Sequence, residues 1–332
     1  MRVRWLEDIP GFPKDHISEY DATLVDAYHG SHVSITTRLD DVSETNTMKI
    51  WDTSNLPVSK IKFEFESVLK DDSVLLKALQ QLRAYGLIFF QNVPGENGPL
   101  ALGRHIGRLR DTFYGETWDV KSVAQATNIA YTHQFLGFHM DLLYFADPPG
   151  LQMLHCINNS CKGGESLFTD SFKAAETLKE KKPEAWKILQ EFPVSYHYDN
   201  AGQHYQHTHP VLQMKDSLVA GEGKILDCVN YSPPFQGPFV LSSGVAHGSN
   251  AARLEEFRNA LQDFQAETEE KENIYQQKLA EGEMVLFNNR RVLHARNAFE
   301  PGAGERWLKG GYMDTDVVLS KMRTLKGSLL RK

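Results

Sequence analysis

With 332 residues, 41% of them hydrophobic and 24% charged, the chain can bury a large core in one domain or in one domain with a small appendage. Its net charge of −7 and the lack of a basic run argue against nucleic acid as a partner, because an acidic surface repels phosphate backbones. No apolar run approaches the roughly 20 residues that cross a bilayer, and Met1-Arg-Val-Arg-Trp-Leu-Glu-Asp8 lacks a signal-peptide stretch, so a cytoplasmic protein without a membrane segment is expected.

Residues 1–60 are polar, with stretches such as Thr36-Thr-Arg-Leu-Asp-Asp-Val-Ser-Glu-Thr-Asn46, and read as an irregular arm or reduced domain with at most one hairpin. The main domain is expected over residues 61–332. Leu75, Leu79 and Leu82 recur at helical spacing, Asp72 or Ser73 can cap the start, and Gly86 can stop the helix. Leu87-Ile-Phe-Phe90 then reads as a buried strand. From Tyr131 to Phe239 short strands and turns are interrupted by one predicted helix near Phe172 to Leu189. A second amphipathic helix carries Leu254, Phe257, Leu261 and Phe264 on one face. Pattern alone gives a β-rich α+β chain without internal repeats.

Cys156, Cys161 and Cys228 have no Cys-x-x-Cys spacing, so three reduced thiols are expected rather than disulfides or a zinc knuckle. There is no Gly-x-Ser-x-Gly elbow, no His-Glu-x-x-His and no complete phosphate loop. His197, His204, His207 and His209 form a histidine-rich stretch, more simply read as a polar segment than as a second metal site.

The chemistry-bearing pattern is His139-Met140-Asp141 followed by His294 and Arg306. Two neutral imidazoles and one carboxylate on one face of Fe(II) leave open positions for an oxidisable co-substrate and O2. Alternate residues of an extended segment point the same way, so His139 and Asp141 can reach one ion. A lone His-x-Asp is common by chance; its context is not. His139 follows Tyr131-Thr-His-Gln-Phe-Leu-Gly-Phe138 and precedes Leu142-Leu-Tyr-Phe-Ala-Asp-Pro-Pro-Gly150, while His294 ends Gly282-Glu-Met-Val-Leu-Phe-Asn-Asn-Arg-Arg-Val-Leu293.

These segments, with Gly150-Leu-Gln-Met-Leu-His-Cys-Ile157 and Gly163-Gly-Glu-Ser-Leu-Phe-Thr-Asp170, resemble the γ-butyrobetaine and trimethyllysine hydroxylase branch of the taurine-dioxygenase-like Fe(II)/2-oxoglutarate dioxygenases, from about Ile61 to Leu325. The resemblance implies a double-stranded β-helix, or jelly roll, with flanking helices. It implies Fe(II), 2-oxoglutarate as co-substrate and O2, with His139, Asp141 and His294 as metal ligands. Arg306 matches the arginine that holds the co-substrate's C5-carboxylate, a task suited to a planar guanidinium; Arg296 is the rival. Ser166 matches a hydroxyl near that carboxylate.

On the substrate side, Tyr114, Trp118, Tyr131 and Tyr312 match a trimethylammonium cage, whose ring faces replace the water shell of a methylated cation. Asn128 and Asn230 resemble amides that receive a substrate carboxylate. The resemblance thus implies hydroxylation of an unactivated C–H bond of a small cationic or zwitterionic betaine or amino acid, with succinate and CO2 as co-products. Desaturation or ring closure of an amino-acid-derived or secondary-metabolite substrate at the same iron stays open, as does, more distantly, a non-catalytic binding protein. The oligomeric state is also open, a homodimer included, because the family's N-terminal cysteine-rich zinc module has no counterpart before Cys156. Arg290 stands where relatives carry Trp, Met140 replaces Thr, and Ser232-Pro-Pro-Phe-Gln-Gly-Pro238 replaces a more polar loop, so the carboxylate end of the pocket is expected to be altered.

Overall fold

A computed structural model describes residues 2–5, 10–13, 15–20, 48–121, 132–217, 223–239, 247–300 and 304–329. The chain divides into two compact units, one of residues 1–48 with 216–225, the other of 49–215 with 226–332. The described part of the first includes an antiparallel hairpin of β1 (Arg2–Arg4) and β2 (Ile17–Glu19).

The larger unit opens with β3 (Lys62–Glu64), α1 (Phe65–Lys70), α2 (Asp72–Tyr85), β4 (Leu87–Gln91), α3 (Gly98–Ile106), β5 (Thr117–Lys121) and β6 (Leu136–His139). There follow β7 (Leu151–Asn159), β8 (Ser166–Asp170), α4 (Ser171–Lys181), α5 (Pro183–Glu191), β9 (Pro193–Asn200) and β10 (Gln203–Pro210). Strands β11 (Leu212–Asp216) and β12 (Lys224–Val229) pair with each other. The chain continues with α6 (His247–Glu269), β13 (Tyr275–Gln277), β14 (Met284–Asn288), β15 (Val292–Arg296), β16 (Arg306–Met313) and α7 (Thr315–Leu329). A six-stranded sheet in the order β3-β4-β14-β7-β16-β5 and a four-stranded sheet in the order β13-β8-β15-β6 form the jelly roll. Among the described residues no helix is long and apolar enough to cross a membrane.

Helix α2 buries Leu75, Leu79 and Leu82 against Phe89 and Met322, and stops where Gly86 turns left-handed at φ 70°. Its cap is Asp71, one residue before the expected position, whose carboxylate accepts from the Ser73 amide. The single helix expected near residues 172–189 is two, because Pro183 lacks an amide proton and can only begin a new helix. Both pack on α6, where Phe257 stacks on Phe192 at 4.0 Å. All three cysteines are free and buried.

The larger unit starts at Lys49, where Trp51 is fully buried and its indole donates to the Tyr85 carbonyl at 2.7 Å. A buried ion pair fastens this region. Arg291 donates from Nε and Nη2 to the two Asp170 carboxylate oxygens at 3.0 and 2.7 Å, and to the carbonyls of Ala84 and Lys49. Asp170 also accepts from the Trp51 amide and caps α4 through the Phe172 amide, so residues 49–51, 84 and 172 converge on the two charges.

Candidate metal centre and substrate cavity

Register brings the two histidines together. Strand β15 runs between β8 and β6, and His294 lies opposite His139, with their ring centroids 4.1 Å apart. Asp141 is not on the strand but in the turn after β6, so strand alternation does not by itself aim it. The Asn289 side chain does, accepting from the Asp141 amide at 2.9 Å and donating to the carbonyls of Asp141 and Pro149. Asn289 is fully buried and was not singled out from sequence; the Asn-Asn-Arg-Arg turn before β15 was the available signal. The ligand atoms of His139, Asp141 and His294 lie within 4.8 Å of one another, a group able to hold a metal ion.

Protonation suits a cation. His139 Nδ1 lies 2.8 Å from the Gly137 carbonyl, which fixes that nitrogen as the donor and leaves Nε2 as a ligand. Burial first, and then the adjoining His139 ring, push His294 down to about 3, so its imidazole is neutral. Burial pushes Asp141 up, but the adjoining His139 and His294 rings and the Tyr312 hydroxyl outweigh it and hold the carboxyl well below the usual range. The Tyr312 hydroxyl donates to Asp141 Oδ2 at 2.6 Å.

The three side chains open on a cavity of about 90 Å³. Arg306, on β16, and Arg296, on β15, both line it and both lie over the Phe299 ring, at 6.0 and 5.2 Å. Among the described residues Arg306 makes no hydrogen bond, and its Nε is buried without a partner; burial pushes it down to about 10, still charged at neutral pH. Arg296 donates to the Gln134 carbonyl at 2.7 Å. Ser166 lines the same cavity, paired in register with Arg296. Gly164, at φ 72°, makes room: a Cβ there would stand 3.2 Å from Arg306 Cδ.

Rings line the other part. Trp118 stacks on Tyr312 at 4.1 Å, and Tyr114 lies 6.0 Å from Trp118. Tyr144 and Phe235, not singled out from sequence as site residues, also line the cavity and meet edge to face at 5.5 Å. Gly310 permits the Trp118 stack, since a Cβ there would sit 2.4 Å from the indole. Gln152, another residue the sequence reading passed over, lines the cavity with its Oε1 buried and unpartnered.

Tyr131 and Asn128 lie outside the described residues. Asn230 does not line the cavity. Its amide donates to the Pro210 carbonyl at 2.8 Å and to Gln213 Oε1 at 3.4 Å, and its carbonyl accepts from Arg290 Nη2 at 2.5 Å. Its donors are thus spent inside the protein, which leaves none for a substrate carboxylate in this arrangement.

The profile of the taurine catabolism dioxygenase TauD, TfdA family matches residues 52–312. The chain is 38% identical to Dioxygenase str8 of Strobilurus tenacellus, over 98% of this chain and 74% of that protein. It is 35% identical to a gamma-butyrobetaine dioxygenase of Pseudomonas sp. (strain AK-1), over 82% of this chain and 67% of that protein, and 28% identical to the mitochondrial trimethyllysine dioxygenase of Mus musculus, over 95% and 71%. In fold it is similar to a Burkholderia xenovorans protein described as an alpha-ketoglutarate-dependent taurine dioxygenase, with a TM-score of 0.54 at 15% identity, covering 76% of this chain and 86% of that one. The chain belongs to the TauD/TfdA family, in the branch of the γ-butyrobetaine and trimethyllysine dioxygenases, and is a 2-oxoglutarate-dependent dioxygenase that uses Fe(II), 2-oxoglutarate and O2.

Proposed function

We propose that His139, Asp141 and His294 hold Fe(II), that Arg306 with Ser166 holds the distal carboxylate of 2-oxoglutarate, and that the enzyme hydroxylates an unactivated C–H bond of a small molecule bearing a methylated cationic nitrogen. One observation carries the reading: a two-imidazole, one-carboxylate group opens on a cavity whose wall contains a buried guanidinium without a hydrogen-bond partner. The donor set fits Fe(II), and the unpartnered Arg306 fits an incoming carboxylate. Bound there, Fe(II) with 2-oxoglutarate and O2 supplies the oxidant for the C–H bond, with succinate and CO2 as co-products.

The chain's own residues bind, orient and shield. Gly137 fixes the His139 tautomer, Asn289 sets the direction of Asp141, and Tyr312 restrains the carboxylate oxygen Oδ2. Tyr114, Trp118 and Tyr312 form the aromatic box for the cation, whose quaternary nitrogen has no donor to satisfy and gains from electron-rich ring faces, and Tyr131 is assigned to it on the family resemblance alone. Similarity to dioxygenases named for γ-butyrobetaine and trimethyllysine supports that cationic group. Asn230, whose amide nitrogen is engaged by Pro210 and Gln213, is left out of the substrate's contacts.

The test is elemental analysis of iron together with succinate release across a panel of betaines, quaternary amines and amino acids. Alanine at His139, Asp141 or His294 is expected to abolish iron retention and turnover. Full occupancy and activity in His294→Ala would sink the assignment.

A further inference from the structure

We infer that the substrate carries no anionic group remote from its cation, and ends instead in a neutral aromatic or alkyl group packed against Phe235. The inference rests on the aromatic-box reading and narrows it to a substrate class. The cavity is polarised along β16. Arg306 and Tyr312 are six residues apart on that strand, about 20 Å in extended chain. Arg296 sits with Arg306 over Phe299, so both cations among the described cavity-lining residues share one end. The other end offers Tyr114, Trp118, Tyr144, Phe235 and Tyr312, with Asp141 as its charged neighbour.

Of the larger unit's undescribed stretches, 122–131, 240–246 and 301–303 contain no lysine or arginine, and Arg331 and Lys332 stand in 330–332. Once Arg306 is matched by the co-substrate, a second carboxylate at the aromatic end would lose its water and face the negative surfaces of rings, with no second lysine or arginine at that end among the described lining residues. Arg290 does not line the cavity: its Nη2 donates to Asn230 Oδ1 at 2.5 Å and to Cys228 Sγ at 3.1 Å, and its Nη1 is buried without a partner. Asn230 offers no donor either, since its amide nitrogen is engaged by the Pro210 carbonyl and Gln213. The wall is also stiff. Phe235 ends a short turn, Pro233–Phe235, whose two prolines fix the backbone, and its ring leans on Tyr144 at 5.5 Å and Tyr198 at 6.4 Å.

Three probes with one trimethylammonium head and a three-carbon chain decide it: γ-butyrobetaine, its methyl ester, and (3-phenylpropyl)trimethylammonium. Dissociation constants are measured by calorimetry on the anaerobic enzyme loaded with Fe(II) and 2-oxoglutarate. The phenyl compound is expected to bind about tenfold more tightly than γ-butyrobetaine, with the ester between them, because an unpaired carboxylate resists desolvation. Phe235→Ala should remove most of the phenyl compound's advantage; Phe235→Leu, which keeps an apolar wall, should retain about half of it in free energy. Binding of γ-butyrobetaine as tight as that of the ester or the phenyl compound, or no binding by either of those two, overturns the inference. The ester's carbon isostere separates this result from the reading beneath it. Equal binding of ester and isostere would overturn the cation box, while the order of acid and ester still decides the question of the carboxylate.

Discussion

Tyr312 hydrogen-bonds Asp141 through its hydroxyl while its ring face stacks on Trp118, so one side chain joins the metal group to the aromatic box. Tyr312→Phe separates the two roles. Loss of the hydroxyl frees one carboxylate oxygen, and Fe(II) affinity or turnover is expected to fall about 10-fold, in line with other losses of a ligand's outer hydrogen bond. Preference for a cationic over a neutral compound should persist, because the ring remains. Iron titration beside a competition assay reads both, and unchanged affinity and turnover would remove Tyr312 from the metal group's support.

Arg306→Ala is expected to weaken 2-oxoglutarate by ~2–5 kcal/mol, since it strands a desolvated carboxylate. Iron should still bind. Anaerobic titration of the iron-to-keto-acid absorbance gives the affinity, with Arg296→Ala in parallel, because Arg296 lines the same cavity. If only the Arg296 variant lost affinity, the role would pass to it.

Gly310→Ala tests the box without touching a ring. The added methyl would sit 2.4 Å from the Trp118 indole, which must leave its place against β16. Discrimination between a trimethylammonium compound and its carbon isostere should drop about 2- to 10-fold, one ring's cation–π contribution. Retained discrimination with an unchanged 2-oxoglutarate affinity would mean that Trp118 is not part of the recognition.

His155 predicts an acid sensitivity remote from the iron. Both its ring nitrogens are buried without hydrogen-bond partners, and burial pushes it down to about 4. The unfolded chain takes up that proton near pH 6.5, the folded chain only near 4, so the unfolded state binds more protons between them. Stability is therefore unaffected above pH 6.5 and is lost as pH falls from 6.5 toward 4. Urea unfolding at pH 7.5 and pH 5 should show a smaller loss in His155→Leu than in the parent; equal losses would assign the acid sensitivity to other groups, His209 first, which burial also lowers to about 4.

What could be read from sequence was whatever is local or carried by residue type. The helical spacing of Leu75, Leu79 and Leu82, the stop at Gly86 and the apolar Leu87–Phe90 segment all depend on nearest neighbours, and each formed as expected. His139, Asp141, His294 and Arg306 stood out because few other chemistries need those types together; strand register brings the two histidines face to face, while Asn289 holds the turn that carries Asp141. Less legible were contacts that depend on which distant segments meet. Nothing local to Asn289 says that it orients Asp141, nothing in Arg290 says that it takes Asn230 out of the cavity, and Pro183 divided a helix that periodicity alone would have run through.

Three consecutive side chains in the turn between β14 and β15 serve three separate masters. Asn289 holds the Asp141 loop, Arg290 reaches Asn230 and Cys228, and Arg291 closes the buried pair with Asp170. A point substitution there can alter one of these and spare the others, whereas inserting or deleting a single residue would hand each task to the wrong side chain. A substitution at position 290 would therefore free Asn230 and Cys228 while leaving the Asp141 loop and the Asp170 pair held, a freedom that a change in the turn's length does not have.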